Sequence, residues 1–131
     1  MPLQARSKVV IAVVATVTVA AAALVYSQAR DVLADTRRIT VSSTMSDLWA
    51  AQQTFRAREG AYASDVSQLD FPGNEHVEIR IEAGPEAWAA VGWWKGHSDR
   101  GCVSSFGRGA PALTTPGGLA SVGVESVVCD R

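Results

Sequence analysis

The sequence contains two cysteines, Cys102 and Cys129, and thiol chemistry is the first possibility they raise. A zinc site takes three or four Cys or His ligands from a compact set of positions. Neither cysteine has a histidine or cysteine cluster that completes such a set. A lone pair of cysteines in a small domain indicates a disulfide, which forms in an oxidising compartment. The sequence therefore predicts a disulfide between Cys102 and Cys129 and no metal site.

A second group, His97-Ser98-Asp99, has the residue types of a hydrolytic relay. The members of such a relay converge from separate elements of a fold. These three are consecutive, and we expect them in a turn between Gly96 and Gly101, so they cannot converge in that way. We predict that the protein is not an enzyme, and that it uses no cofactor and no small-molecule substrate.

The acidic residues Asp99, Glu125 and Asp130 raise the possibility of calcium binding. Calcium loops supply their oxygen ligands at short, regular spacing, and these three residues do not follow it. The charge balance, 12 basic against 13 acidic residues, also gives no basic footprint for nucleic acid. Neither a calcium site nor a nucleic-acid partner is predicted.

An uncharged apolar segment lies near the amino terminus. No Asp, Glu, Lys or Arg occurs between Val9 and Ala29. At about 1.5 Å per helical residue, the run from Val9 to Tyr26 is roughly 27 Å long, enough to cross a hydrocarbon core. Basic residues precede the run, and Tyr26 closes it where an aromatic ring meets lipid headgroups. We predict a tail over residues 1–8 and a transmembrane helix over 9–29.

A cleaved signal peptide is the alternative interpretation of this segment. Its basic start fits, and Ser27-Gln28-Ala29 is an acceptable small-x-small cleavage site. The run is longer than the apolar core of a usual signal peptide, which favours retention. If cleavage occurs, the mature protein is a secreted binding module that starts at Arg30.

The orientation follows from the cysteines, because basic residues flank the segment on both sides. A disulfide requires the distal domain to face an oxidising space. We therefore expect a bacterial inner-membrane protein with a cytoplasmic amino terminus and a periplasmic carboxy-terminal domain.

Residues 30–58 contain neither Gly nor Pro and carry a helical stripe. Its members are spaced by three and four residues: Val41, Met45, Leu48, Gln52 and Phe55. The pattern predicts an amphipathic helix that continues from the span and packs on the distal domain. Gly60 suits a left-handed cap that ends this helix.

Residues 59–131 predict a small β domain. After a short turn through Val66 and Leu69, capped by Ser64 or Asp65, the apolar period changes from helical to alternating. Strands are predicted around Val77–Ile81 and over 87–94, 102–106 and 122–129, with a loop over 107–118. The predicted fold is α+β: a long amino-terminal helix on a small antiparallel sheet of about four strands, with one disulfide.

Three of the four tryptophans fall in the second predicted strand. Adjacent Trp93 and Trp94 must point to opposite faces of a sheet. One of them is therefore a possible contact for a partner or for lipid headgroups. The alternative is a partly exposed ring that the loop over 107–118 shields.

The segment Asp47–Phe55, followed by Arg58–Asp65, resembles the helix exit of type IV pilins and pseudopilins. In that family an Ala-Gln-x-x-aromatic helix end leads into a Gly-x-Tyr loop and a short Leu-containing turn. The family also places a half-membrane, half-amphipathic helix before a sheet whose last strand a disulfide pins. This chain has no Gly before Gly60 and no Glu before Glu59, so it lacks the prepilin peptidase motif. The resemblance implies a pilin-like fold without the family's signals for processing and filament growth.

These features predict a single-pass structural or assembly subunit of a larger membrane complex, with lipid and other membrane-protein subunits as partners. Photosynthetic reaction-centre and antenna complexes contain single-span accessory proteins of this size, and such an assembly is one candidate. A pilin or pseudopilin filament subunit and a secreted binding module are the alternatives.

Overall fold

The computed structural model describes residues 3–121 and 125–131 and has an α+β fold. One long helix precedes a four-stranded antiparallel sheet in which the strands follow their sequence order. The elements are α1 (Leu3–Glu59), a 3-10 turn (Val66–Gln68), β1 (Val77–Ala83), β2 (Trp88–Trp94), β3 (His97–Phe106) and β4 (Val128–Cys129). The chain divides into two compact units between Asp35 and Thr36. The predicted fold class is confirmed.

The first unit contains the apolar part of α1, which begins at Leu3, within the predicted tail. Its large apolar side chains are exposed along the whole run, from Val9 to Tyr26. Among the residues that the structure describes, α1 is the one helix long and apolar enough to cross a membrane. The hydroxyls of Thr16 and Thr18 donate to the carbonyls four residues earlier at 2.8 Å, so these polar groups are satisfied within the helix.

The second unit contains the remainder of α1, which packs on the sheet. Val41, Met45, Leu48 and Gln52 are buried, as the predicted stripe requires, and Phe55 is half-buried beside them. The helix ends at Glu59 because Gly60 takes a left-handed φ of 78° and its N–H donates to the Arg56 carbonyl at 2.9 Å. The apolar spacing of three and four residues thus predicted the buried face of the helix, and Gly60 predicted its end.

Both faces of the sheet are covered. Alternate residues of the central strands, including Trp88, Ala90 and Cys102, pack against α1 in the larger core. The intervening residues pack under the loop that follows β3, in a second core built from Ala89, Val91, Val103 and Leu113. Because β2 is central and covered on both sides, its first five residues are all buried.

Strand β3 is longer than predicted, and this corrects the placement of His97-Ser98-Asp99. The strand begins at His97 rather than at Cys102, so these residues lie in a strand and not in a turn. The cause is a register shift: Trp93 pairs with Gly101, whereas Trp94 pairs with His97. The turn shrinks to Lys95 and Gly96, where Gly96 supplies the positive φ of 76°.

Strand β4 is shorter than predicted. Only Val128 and Cys129 pair with β3, and residues 122–124 of the predicted strand lie outside the described residues. Farther along β3 the loop, and not β4, bonds the strand: the Ser105 hydroxyl donates to the Ser121 carbonyl at 2.6 Å.

The predicted turn after the helix is a 3-10 turn, and Asp65 rather than Ser64 is its cap. The Asp65 carboxylate accepts from the Ser67 N–H at 2.8 Å, while the Gln68 side chain accepts from the Asp65 N–H at 3.1 Å. This reciprocal pair is a capping box.

Candidate functional site

The predicted disulfide is present and lies where β4 meets the sheet. Cys102 and Cys129 are directly paired residues of β3 and β4, and the bridge closes a separation of 27 residues. Cys102 is buried in the core against α1. The bridge therefore ties the carboxy-terminal strand to the packed part of the second unit.

Asp130, next to this disulfide, is a buried carboxylate that the sequence did not single out as structural. Its Oδ2 accepts from the N–H groups of Gly101 and Gly117 at 2.9 Å, and its Oδ1 accepts from the Thr115 hydroxyl at 2.6 Å. Its own N–H donates to the Gly101 carbonyl at 2.9 Å. The side chain thus joins the carboxy terminus to β3 and to the loop over 107–118.

The three acidic residues weighed as calcium ligands do not form a site. Asp130 uses both carboxylate oxygens on protein donors, while Asp99 and Glu125 are exposed. Within residues 3–121 and 125–131, no group of three or more His, Cys, Asp or Glu side chains is arranged to hold a metal ion.

The possible relay residues His97, Ser98 and Asp99 are exposed on the first part of β3. Arg37, on α1 in the same unit, donates to the His97 ring at Nδ1 over 3.3 Å. The imidazole is therefore engaged by the helix. His97 and Ser98 are both exposed to water, so this is not the closed, water-excluding site in which a histidine takes a proton from a serine hydroxyl.

The two adjacent tryptophans point to opposite faces, as strand alternation requires. Trp94 packs at the margin of the core against α1 and stacks on the His76 ring, with centroids 5.1 Å apart and planes at 19°. Trp93 packs against the opposite core, which includes Leu113 from the loop. Both rings remain partly exposed. The loop therefore shields part of Trp93. The exposed part of Trp94 lies on the other face of the sheet, beside the β2–β3 turn.

Gln52 has a structural role that the sequence analysis did not predict. It is fully buried, and its side-chain amide bonds both backbone groups of Ala63. The sequence does place a polar residue within an apolar helical stripe. This pattern indicates a hydrogen-bonding role, because a buried amide must find partners. The partner itself, eleven residues later, is fixed by the fold alone.

The arrangement as a whole offers an exposed apolar helix, a disulfide-closed second unit and two partly exposed tryptophans. Each of these features is suited to anchoring or to contact. No protein-family model, characterised protein or solved structure matches the chain.

Proposed function

We propose that this protein is a non-catalytic, single-pass membrane protein whose second unit serves as a structural or assembly subunit of a larger membrane complex. One observation carries the proposal: the apolar run of α1 is wholly unburied. Its valines, such as Val9 and Val19, are 63 % and 70 % exposed. A soluble protein buries such a surface, so this one requires lipid or neighbouring helices.

The energy of insertion supports a lipid anchor. Nine Val, Ile and Leu residues lie between Val9 and Val25. At about 0.3–0.6 kcal/mol each on an insertion scale, they favour the bilayer by roughly 3–5 kcal/mol. No charged side chain opposes this in the run. The helix also satisfies its own backbone, which the hydrocarbon region requires.

The end of the run has the side chains that suit a membrane surface. The Arg30 guanidinium lies over the Tyr26 ring, 5.8 Å from its centroid. An aromatic ring with a neighbouring cation is favourable at the headgroup level, where the ring is half in lipid and the charge meets water and phosphate. This supports a membrane boundary near Tyr26–Arg30.

The second unit supports an extracytoplasmic location. One disulfide joins strands β3 and β4 of its sheet, and such a bond persists in oxidising compartments. We infer a bacterial inner-membrane protein with the amino terminus in the cytoplasm and the second unit in the periplasm. The order of elements, a long helix before an antiparallel sheet with a disulfide on the last strand, supports a pilin-like architecture for this unit.

The anchor is tested by membrane fractionation and alkaline carbonate extraction of the full chain, followed by amino-terminal sequencing. We expect the protein to stay in the extracted membrane pellet with its first 29 residues retained. A soluble protein that starts at Arg30 would establish the secreted-module alternative and overturn the anchor.

The assembly role is tested by affinity purification in mild detergent at native expression, with partners identified by mass spectrometry. We expect a stoichiometric complex with other membrane-protein subunits; reaction-centre or antenna subunits are one candidate set. Trp94→Ala, which removes a partly exposed ring, should weaken the complex, while exposed Arg108→Ala serves as the matched control. A solely monomeric species would contradict the assembly role, and filaments in electron micrographs would favour the pilin alternative.

A further inference from the structure

Strand β1 forms one edge of the sheet. The hydrogen bonds at its two ends show which alternate residues bond to β2. The His76 carbonyl accepts from the Lys95 N–H at 2.8 Å, and the Gly84 N–H donates to the Ala87 carbonyl at 2.8 Å. The register between these points is unbroken. Antiparallel ladders bond every second residue of a strand to its neighbour. The even-numbered residues of β1 therefore face β2 with their N–H and C=O groups.

The odd-numbered residues Ile79, Ile81 and Ala83 consequently direct their N–H and C=O groups away from the sheet. Within the described parts of the chain, none of these groups has a backbone or side-chain partner. The adjacent 3-10 turn, Val66–Gln68, is bonded through its own cap and not to β1. At the start of the strand, the Val77 N–H is already taken by the Asn74 carbonyl at 3.0 Å. The open ladder thus runs from Ile79 to Ala83.

The two faces of this edge differ in chemistry. Towards α1, the Ile81 side chain is buried in the apolar core, and Ile79 and Ala83 are half-buried at its margin. On the other face, Glu78, Arg80 and Glu82 are exposed and alternate in charge. An added strand would therefore place apolar residues beside the first face. On the second face it would place basic residues opposite both glutamates and an acidic residue opposite Arg80.

A second copy of the chain is a poor occupant of this edge. Antiparallel self-pairing of β1 needs a twofold axis perpendicular to the sheet, and that axis reverses residues 36–59 of α1 between the copies. Because the proposed anchor joins each copy at residue 36, the two points of attachment would lie at opposite ends of the pair, which does not suit two copies in one membrane. The occupant is therefore a strand from a different protein.

We propose that the open edge of β1 binds an extended segment of a partner protein by antiparallel strand addition. The segment alternates apolar and charged residues in the order basic, acidic, basic, opposite Glu82, Arg80 and Glu78. Main-chain hydrogen bonds to Ile79, Ile81 and Ala83 hold it, and the charges select it. This goes beyond the anchoring and assembly roles; the exclusion of a second copy rests on the proposed anchor, whereas the peptide-binding test does not.

The test uses the full chain in detergent micelles and two labelled synthetic peptides, TVKVEVKVT and its charge-reversed counterpart TVEVKVEVT. We expect the first to bind, with slowed amide hydrogen exchange at Ile79, Ile81 and Ala83, and the second to bind about tenfold more weakly. The triple variant E78K/R80E/E82K should reverse this preference. Equal binding of both peptides, no binding of either, or protection at β4 instead of β1 would overturn the proposal.

Ala83→Pro provides an independent variant. Its N–H points away from β2, so proline there removes a docking donor without breaking the β1–β2 ladder. We expect weaker peptide binding at an unchanged melting temperature. Full affinity in this variant, with its fold intact, would count against strand addition.

Discussion

The side-chain amide of Gln52 pairs with the backbone of Ala63 through two hydrogen bonds. Its Nε2 donates to the Ala63 carbonyl at 2.8 Å, and its Oε1 accepts from the Ala63 N–H at 2.8 Å. Gln52 is fully buried and Ala63 nearly so. The Gln52 amide thus makes the two hydrogen bonds to Ala63 that a residue of a neighbouring strand would make. Both backbone polar groups of this buried residue are satisfied.

Replacement of Gln52 by alanine should destabilise the second unit by about 2–4 kcal/mol, because the Ala63 N–H and C=O then lie buried without partners. Thermal unfolding followed by circular dichroism measures the loss. Gln53→Ala is the matched control on the next residue. The Gln53 Nε2 atom has no partner among the described residues, so this change should cost under about 1 kcal/mol. Equal losses for the two variants would contradict the assigned role.

Removal of the disulfide through Cys102→Ala/Cys129→Ala should cost about 3.5 kcal/mol, the loop-closure value for a separation of 27 residues. Denaturant unfolding of the purified chain measures it. A reducing agent should lower the stability of the native protein to that of the double variant and leave the variant itself unchanged. A native protein insensitive to reduction would show that the bridge adds nothing.

Asp130→Ala should destabilise the second unit by about 2–4 kcal/mol, because the Gly101 and Gly117 N–H groups lose a charged acceptor. Gly117→Ala tests the same contact from the other side, since a Cβ there would clash with the Asp130 carboxyl. Gly84→Ala, whose nearest contact would be 3.9 Å, is the steric control and should cost far less. Unfolding midpoints of the three variants distinguish these outcomes.

The Ser67 hydroxyl and N–H hold the pKa of the exposed Asp65 carboxyl below its ordinary value of 3.8. Because the folded pKa is the lower one, the contribution of this cap is complete above the ordinary value and is lost as the pH falls through the folded pKa. A carbon-detected NMR titration should place the Asp65 midpoint below the ordinary value of 3.8. Asp65→Asn should remove this part of the acid dependence. A midpoint at or above the ordinary value would contradict the cap.

Val17→Arg should release the protein from carbonate-extracted membranes, because an arginine near the centre of a span costs about 2.5–3.5 kcal/mol. That cost removes most of the roughly 3–5 kcal/mol by which the apolar run favours the bilayer. Val32→Arg introduces the same side chain at a similarly exposed position beyond the predicted span and should leave extraction unchanged. Release by both variants would mean that the span extends past residue 29.

Much of the fold could be predicted because it depends on local periodicity. The buried face of α1, its end at Glu59 and the alternation of β1 each follow from residues within one or two turns or pleats. The predictions were wrong where the pairing between strands determines the structure. His97 is in a strand because Trp94 pairs with it after a register shift, and no local pattern encodes that shift.

Some features of the candidate site could likewise be predicted from the sequence, and others could not. Apolar composition alone was enough to identify the segment Val9–Tyr26, and the cysteine count was enough to suggest the Cys102–Cys129 bridge. The hydrogen bonds of Asp130 and Gln52 could not be predicted, since their partners lie many residues away in sequence. The open ladder of β1 likewise exists only because the strand order puts β1 at an edge.

Sequence by itself determined the helix, its exposed apolar run, the α+β class and the disulfide, because each is written in composition or in spacing along one element. Tertiary structure alone decided which polar groups are satisfied and which remain open. A buried carboxylate or amide takes whatever donor the folded chain brings within about 3 Å. An edge strand, in turn, is defined by the absence of a neighbour, and only the assembled sheet determines where that absence falls.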